Sequence, residues 1–146
     1  MSGLINSAGS RSGVIGTTEL DYEEGSYTAT MTSGSGSFSS FSVNVGRYIV
    51  IGKLVWARVE FTVGASGIGT ASGDIFFNLP FAVKSQGGSY GVDFVATGSE
   101  RYATGTLLQG IYLTATTLVR IKSYANANVG PANLYNYVLN MTYERS

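Results

Sequence analysis

The chain contains no cysteine and no histidine. Without cysteine there is no disulfide frame, no thiolate nucleophile and no thiolate metal site. Without histidine the commonest general base, the commonest metal ligand and the usual switch near neutral pH are all missing. Charge is also scarce. Only 12% of the 146 residues are charged, against roughly 25% in an average domain, and nine lysines and arginines balance nine aspartates and glutamates. A neutral surface has no field to steer a polyanion, so neither a nucleic-acid partner nor an anionic membrane surface is expected. No apolar run approaches the roughly 20 residues of a membrane-spanning helix. The opening MSGLINSAGSRSG lacks the basic start and apolar core of a signal peptide. Helical spacing is missing as well, because the 20 glycines interrupt every long window.

What the sequence has instead is alternation. Tyr27, Ala29 and Met31 alternate with threonines, and Phe41, Val43 and Val45 alternate with Ser40, Ser42 and Asn44. Val55, Ala57, Val59, Phe61 and Val63 alternate with Leu54, Trp56, Arg58, Glu60 and Thr62. Ile75, Phe77 and Leu79 form another such set, as do Tyr135, Tyr137, Leu139, Met141 and Tyr143. A period of two places each set on one face of a strand. Further strands are expected over 90–96, 101–107, 111–115 and 118–124. Glycine, serine and asparagine clusters at 33–37, 64–73, 85–89 and 126–133 separate them. Many short strands at this spacing predict an all-β fold, an antiparallel β-sandwich of jelly-roll type. Pro80 should end the strand before it, while Pro131 sits in a turn-rich loop. Gly52-Lys53, between two alternating runs, fits a two-residue hairpin turn of type II′.

Residues 1–25 read differently. Leu4, Ile5, Val14, Ile15 and Leu20 are scattered apolar residues in a glycine- and serine-rich background. Such a segment cannot bury enough surface to fold alone. It is expected to be an extended arm, with those five residues as its contacts on a partner, ahead of one sandwich domain over 26–146.

Chemistry is thinly supported. A glycosidase needs two carboxylates a few ångströms apart, and Glu60 could pair with Asp74 or Asp93; nine acidic residues spread over a sandwich give such pairs by chance. The run Gly64 to Thr70 lacks the Lys-Ser/Thr of a phosphate loop and precedes a strand. Asn140-Met141-Thr142 matches a glycosylation sequon inside an expected strand. No catalytic residue, metal or cofactor is expected. Binding surfaces are better supported. Trp56, Arg58 and Glu60 share the outward side of a strand whose other side is purely apolar, and Phe76 is similarly placed on its own strand. Aromatics and arginine are enriched at interfaces, so these four are candidate subunit-interface residues, the alternative being a minor core over Trp56. Tyr124, Asn126, Asn128, Tyr135 and Tyr137 around the asparagine-rich loop are candidate glycan contacts, through ring stacking and amide hydrogen bonds; ordinary core tyrosines are the competing reading.

Four segments carry a resemblance: Asp21 to Gly25 (DYEEG), Tyr27 to Thr30 (YTAT), Gly46 to Val55 (GRYIVIGKLV) and Phe77 to Phe81 (FNLPF). Together they resemble a structural module of tailed-bacteriophage virion proteins, often found at the C-terminal end of tail fibres. The match covers roughly residues 11–82. The resemblance implies a non-enzymatic virion protein, made in the host cytoplasm and placed on the particle surface, and usually a homotrimer. With no coiled-coil heptads ahead of the β-region, a capsid decoration (cement or head-fibre) protein is expected, held on the major capsid protein or another virion protein by its arm. The alternative is the receptor-binding knob of a tail fibre, recognising a bacterial surface glycan.

Overall fold

The structure, a computed structural model, describes residues 21–84, 94–112 and 117–146. No described residue is helical. Nine strands follow one another: β1 (Tyr22–Ser26), β2 (Met31–Ser35), β3 (Phe41–Ile51), β4 (Leu54–Val63), β5 (Ser72–Asn78), β6 (Phe94–Glu100), β7 (Leu107–Tyr112), β8 (Leu118–Ser123) and β9 (Asn136–Glu144). They form one antiparallel sheet in the order β1-β3-β4-β9-β6-β7-β8-β5-β2, curled into a half-barrel. The all-β antiparallel expectation therefore holds, and the two layers are halves of one continuous sheet.

Alternation explains the curl. Val55, Ala57, Val59, Phe61 and Val63 of β4 are all fully buried, as are Ile75 and Phe77 of β5, Val119 and Ile121 of β8, and Tyr137, Leu139 and Met141 of β9. These inward faces belong to one hydrophobic cluster, so the sheet must fold over to bring its distant strands onto the same core. Chain connectivity gives the same picture. β1 and β2 are the two edges of the sheet, yet only residues 27–30 join them. At no more than ~3.6 Å per residue, so short a link requires neighbouring edges. It is tied to both sides: the Tyr27 N–H donates to the Gly46 carbonyl of β3 at 3.0 Å, and Asn78 of β5 accepts from the Thr30 N–H at 2.5 Å while its Nδ2 donates to the Thr28 carbonyl at 3.2 Å.

That link corrects the strand expected from Tyr27 onward. Ala29 and Met31 are buried between exposed threonines, as alternation requires, but ahead of Met31 the Asn78 side chain bonds the link at Thr28 and Thr30, beside a single backbone bond from the Asn78 N–H to the Thr30 carbonyl at 3.3 Å. The boundary between arm and domain also moves. Residues 22–25, placed in the arm, form edge strand β1 together with Ser26, paired with β3 from Tyr22↔Ile51 to Ser26↔Arg47. The five expected arm contacts, Leu4, Ile5, Val14, Ile15 and Leu20, lie outside the described residues. A third correction is the strand expected over 101–107: residues 101–104 form a turn and β7 begins at Leu107. The hairpin turn is as expected, with Ile51 opposite Leu54 and a positive φ of 60° at Gly52, and β5 ends at Asn78, ahead of Pro80.

Gly110 tests the packing. It lies on β7 opposite Ala96 and Ile121, and a Cβ there would stand 2.5 Å from the Ala96 Cβ and 2.7 Å from a Val119 methyl. Gly110→Ala is expected to destabilise the fold by about 1–3 kcal/mol, the usual cost of overpacking; urea unfolding of the two proteins would measure it.

Candidate functional site

The convex face of β1, β3 and β4 carries an apolar patch. Register sets it up. In the first row Tyr22, Ile51 and Leu54 stand side by side, and in the next Glu24, Ile49 and Trp56 do. The inward neighbours Val50, Val55 and Ala57 are fully buried, so these rows point away from the core. Tyr22 is 54% exposed, Ile51 42%, Leu54 52% and Trp56 39%. Charges of both signs frame them. Glu24 accepts a hydrogen bond from the Tyr22 hydroxyl at 2.7 Å. Arg47 and Arg58 are paired opposite each other in the third row, and two shallow grooves beside Trp56 share Ser26 and Arg47 in their walls. An aromatic and aliphatic centre with a charged rim is the composition of a protein interface.

Next along the same face is a polar network. Glu60 accepts from Asn44 Nδ2 at 3.2 Å and from Asn136 Nδ2 at 3.1 Å, and lies 3.8 Å from both Arg58 and Arg101. The two asparagines also donate to the Thr62 hydroxyl, at 2.7 and 2.8 Å. Burial pushes the Glu60 carboxyl up, but the two amides and two guanidiniums outweigh it and hold it below its ordinary value. Asn136 then links this carboxylate to a second one. Its backbone N–H donates to Glu100 at 3.2 Å. Glu100 is only 1% exposed and closes the 101–104 turn. It accepts the N–H groups of Tyr102 (2.7 Å), Ala103 (3.1 Å) and Thr104 (2.6 Å), with the Thr104 hydroxyl at 2.9 Å. Burial again raises this carboxyl, yet the converging donors bring it down to about 2.

This arrangement bears on catalysis. Glu60 and Glu100 are both held ionised at neutral pH, so neither is poised to deliver a proton. Asp74 lies on β5, which pairs with β8 and β2 and not with β4, and its carboxylate faces Arg120 and Lys122 at 3.4 and 3.9 Å. The proposed Glu60–Asp74 pair therefore does not come together, and Asp93 lies outside the described residues. Among the described residues, no three acidic, histidine or cysteine side chains gather where they could hold a metal ion.

The other expected site residues divide. Trp56 and Arg58 stand on the patch or its rim. Glu60 shares their face but is spent in its own network, with its side chain 17% exposed. Phe76 does not join them. It is half-buried on the convex side of β5, opposite Thr32 and Arg120, and β5 pairs with neither β1, β3 nor β4, the strands that carry the patch. The proposed glycan cluster is not assembled either. Tyr137 is fully buried because it alternates with Asn136 on the inward side of β9, and Tyr135 packs edge-on against it at 5.8 Å between ring centres. Asn128 accepts a hydrogen bond from the Lys122 ammonium, and Asn126 occupies a turn at φ 61°. Tyr124 is 77% exposed, and Asn126 and Asn128 are exposed beside it. Sequence reasoning missed Tyr22, Ile49, Ile51 and Leu54 in the patch and missed Glu100 entirely.

Fold and surface together define the class: an antiparallel curled-sheet module with an exposed face that carries Tyr22 and Trp56. No protein-family model, no curated protein and no solved structure matches the chain.

Proposed function

We propose that the chain is a non-enzymatic structural module of a tailed-phage particle, a capsid decoration protein that assembles as a homotrimer. The observation that carries the assembly half of this reading is the patch of Tyr22, Ile51, Leu54 and Trp56, four large apolar side chains left open on one convex face. Contiguous exposed apolar surface is costly for a free monomer and is the usual mark of a surface another protein covers. Zero net charge adds to that, since a neutral monomer has little to keep it from associating. The virion half rests on the resemblance of residues 11–82 to phage structural modules. In this reading the segment ahead of Asp21 supplies Leu4, Ile5, Val14, Ile15 and Leu20 to the shell. It would leave the sheet beside the patch, because the Asp21 carbonyl accepts from the Gly52 N–H of the hairpin turn at 2.7 Å. Antibody labelling of intact particles tests the placement. Label spread over the capsid is the expected result. Label confined to the tail tip would overturn decoration in favour of a receptor-binding knob, and absence from particles would overturn both.

A further inference from the structure

We infer that Glu24 of one copy forms an ion pair with Arg47 of the next, so that the charged rim of the Trp56 face selects a second copy of this chain. This pairing rests on the Trp56 face being the subunit contact. Both residues line one groove beside Trp56, with a volume of about 440 Å³, and both are exposed. They share the convex face but not a row: Glu24 is opposite Ile49, and Arg47 is opposite Ser26. Neither is used within its own chain. Among the described residues, Arg58 and Arg101 reach Glu60, Arg120 reaches Asp74, and Arg145 reaches Asp21 and Glu23. Arg47 is the one described arginine without such a partner. The acids divide in the same way. Glu144 takes Lys84, and Glu100 is buried on the N–H groups of its turn. Glu24 is the one exposed carboxylate side chain, among the described residues, that no cation holds. It accepts a hydrogen bond from the Tyr22 hydroxyl at 2.7 Å.

The third row gives the reason an acid is wanted there. Arg47 stands directly opposite Arg58, and like charges at opposed strand positions repel. Glu60, 3.8 Å from Arg58, offsets part of this, but it is shared with Arg101 at the same distance. An arriving carboxylate relieves the remaining repulsion, and the free guanidinium can hold it through two parallel hydrogen bonds. The groove also says whose carboxylate it is. In a closed ring each copy presents Glu24 to one neighbour and Arg47 to the other, so both unused charges are paired. An acidic protein of another kind would take Arg47 and leave Glu24 facing it in the same groove, and a basic one would do the reverse. Such like-charge contacts are what sets a wrong partner apart from the right one. The exposed Trp56 and Ile49 beside the pair exclude water when covered, which strengthens the attraction.

The test is a charge swap in the full chain, with assembly followed by sedimentation velocity over a range of concentrations. Glu24→Arg and Arg47→Glu are each expected to raise the concentration needed for assembly by about tenfold or more. Their melting temperatures should stay near that of the wild type, because both side chains lie outside the core. The double variant Glu24→Arg/Arg47→Glu is expected to recover most of that loss, since it restores the pair with its signs exchanged. If the wild type assembles but the single variants do so equally well, or the double variant does no better than the singles, the ion pair is overturned and the Trp56 contact stands. A wild type that stays monomeric would overturn both and give the face to a different protein.

Discussion

Replacing Glu100 with alanine is expected to lower the unfolding temperature by about 10 °C. Three backbone N–H groups of the 101–104 turn, the Thr104 hydroxyl and the Asn136 N–H would lose their acceptor together. Turn donors can recover some of that loss in water, but Asn136 is buried and cannot. Hydrogen bonds to a charged group contribute ~1.5–3 kcal/mol each, and breaking a buried charged cluster costs ~3–5 kcal/mol; in a domain of this size each kcal/mol moves the midpoint by roughly 2–4 °C. Acid should reveal the same device. The Glu100 carboxyl titrates at about 2 in the folded chain, against 4.5 ordinarily. Its contribution is therefore complete above pH ~4.5 and is lost as pH falls toward about 2. Glu60, also held below its ordinary value, adds in the same direction. Glu100→Gln keeps one acceptor oxygen but cannot ionise, so its stability should fall less steeply than the wild type's between pH 5 and pH 2.5. Melting curves across that range decide it. An equally steep fall in both proteins would mean that Glu100 is not the titrating group.

Replacing Trp56 with glutamate is expected to have the largest effect on assembly. Trp56 is the aromatic of the second exposed row, between Ile49 of β3 and Thr142 of β9. Central aromatic residues carry much of the energy of protein interfaces, on the order of 2 kcal/mol or more each, which is about a thirtyfold change in dissociation constant. Glutamate removes that contact and, in a closed interface, buries a carboxylate near Glu24, whose strand position is the same row. The fold should tolerate the change, because the side chain points away from the core and is already 39% exposed.

The fold was legible to the extent that it follows from a period of two. The inward sets of β4, β5 and β9 were all read from alternation, and the β3–β4 turn from Gly52-Lys53. The same reading contained the patch without its being drawn out. With Ile51 opposite Leu54, Ile49 must stand opposite Trp56 on the same face, so the hairpin register alone brings these apolar residues together. Other features depend on long-range geometry that no local pattern encodes. Alternation assigns Phe76 and Trp56 to convex faces but cannot tell that their strands are not neighbours. Tyr135 and Tyr137 share one alternating set, so their inward burial was implied by the pattern that also nominated them as glycan contacts. Glu100 was hidden because residues 101–107 read as strand. The turn depends on a buried carboxylate gathering successive N–H groups, with Gly105 at φ 65° completing it. β1 was missed because its four non-glycine residues, Tyr22, Glu23, Glu24 and Ser26, are all exposed. An edge strand that contributes nothing to the core leaves no hydrophobic signature.

The most direct measurement is the solution mass of the full chain and of Trp56→Glu by light scattering over a range of concentrations. The account expects the wild type to reach three times the 15.4 kDa of one chain, and the variant to remain at the monomer mass with an unchanged melting temperature. A wild type that stays monomeric throughout, or a variant that assembles as well as the wild type does, would contradict assembly through the Trp56 face.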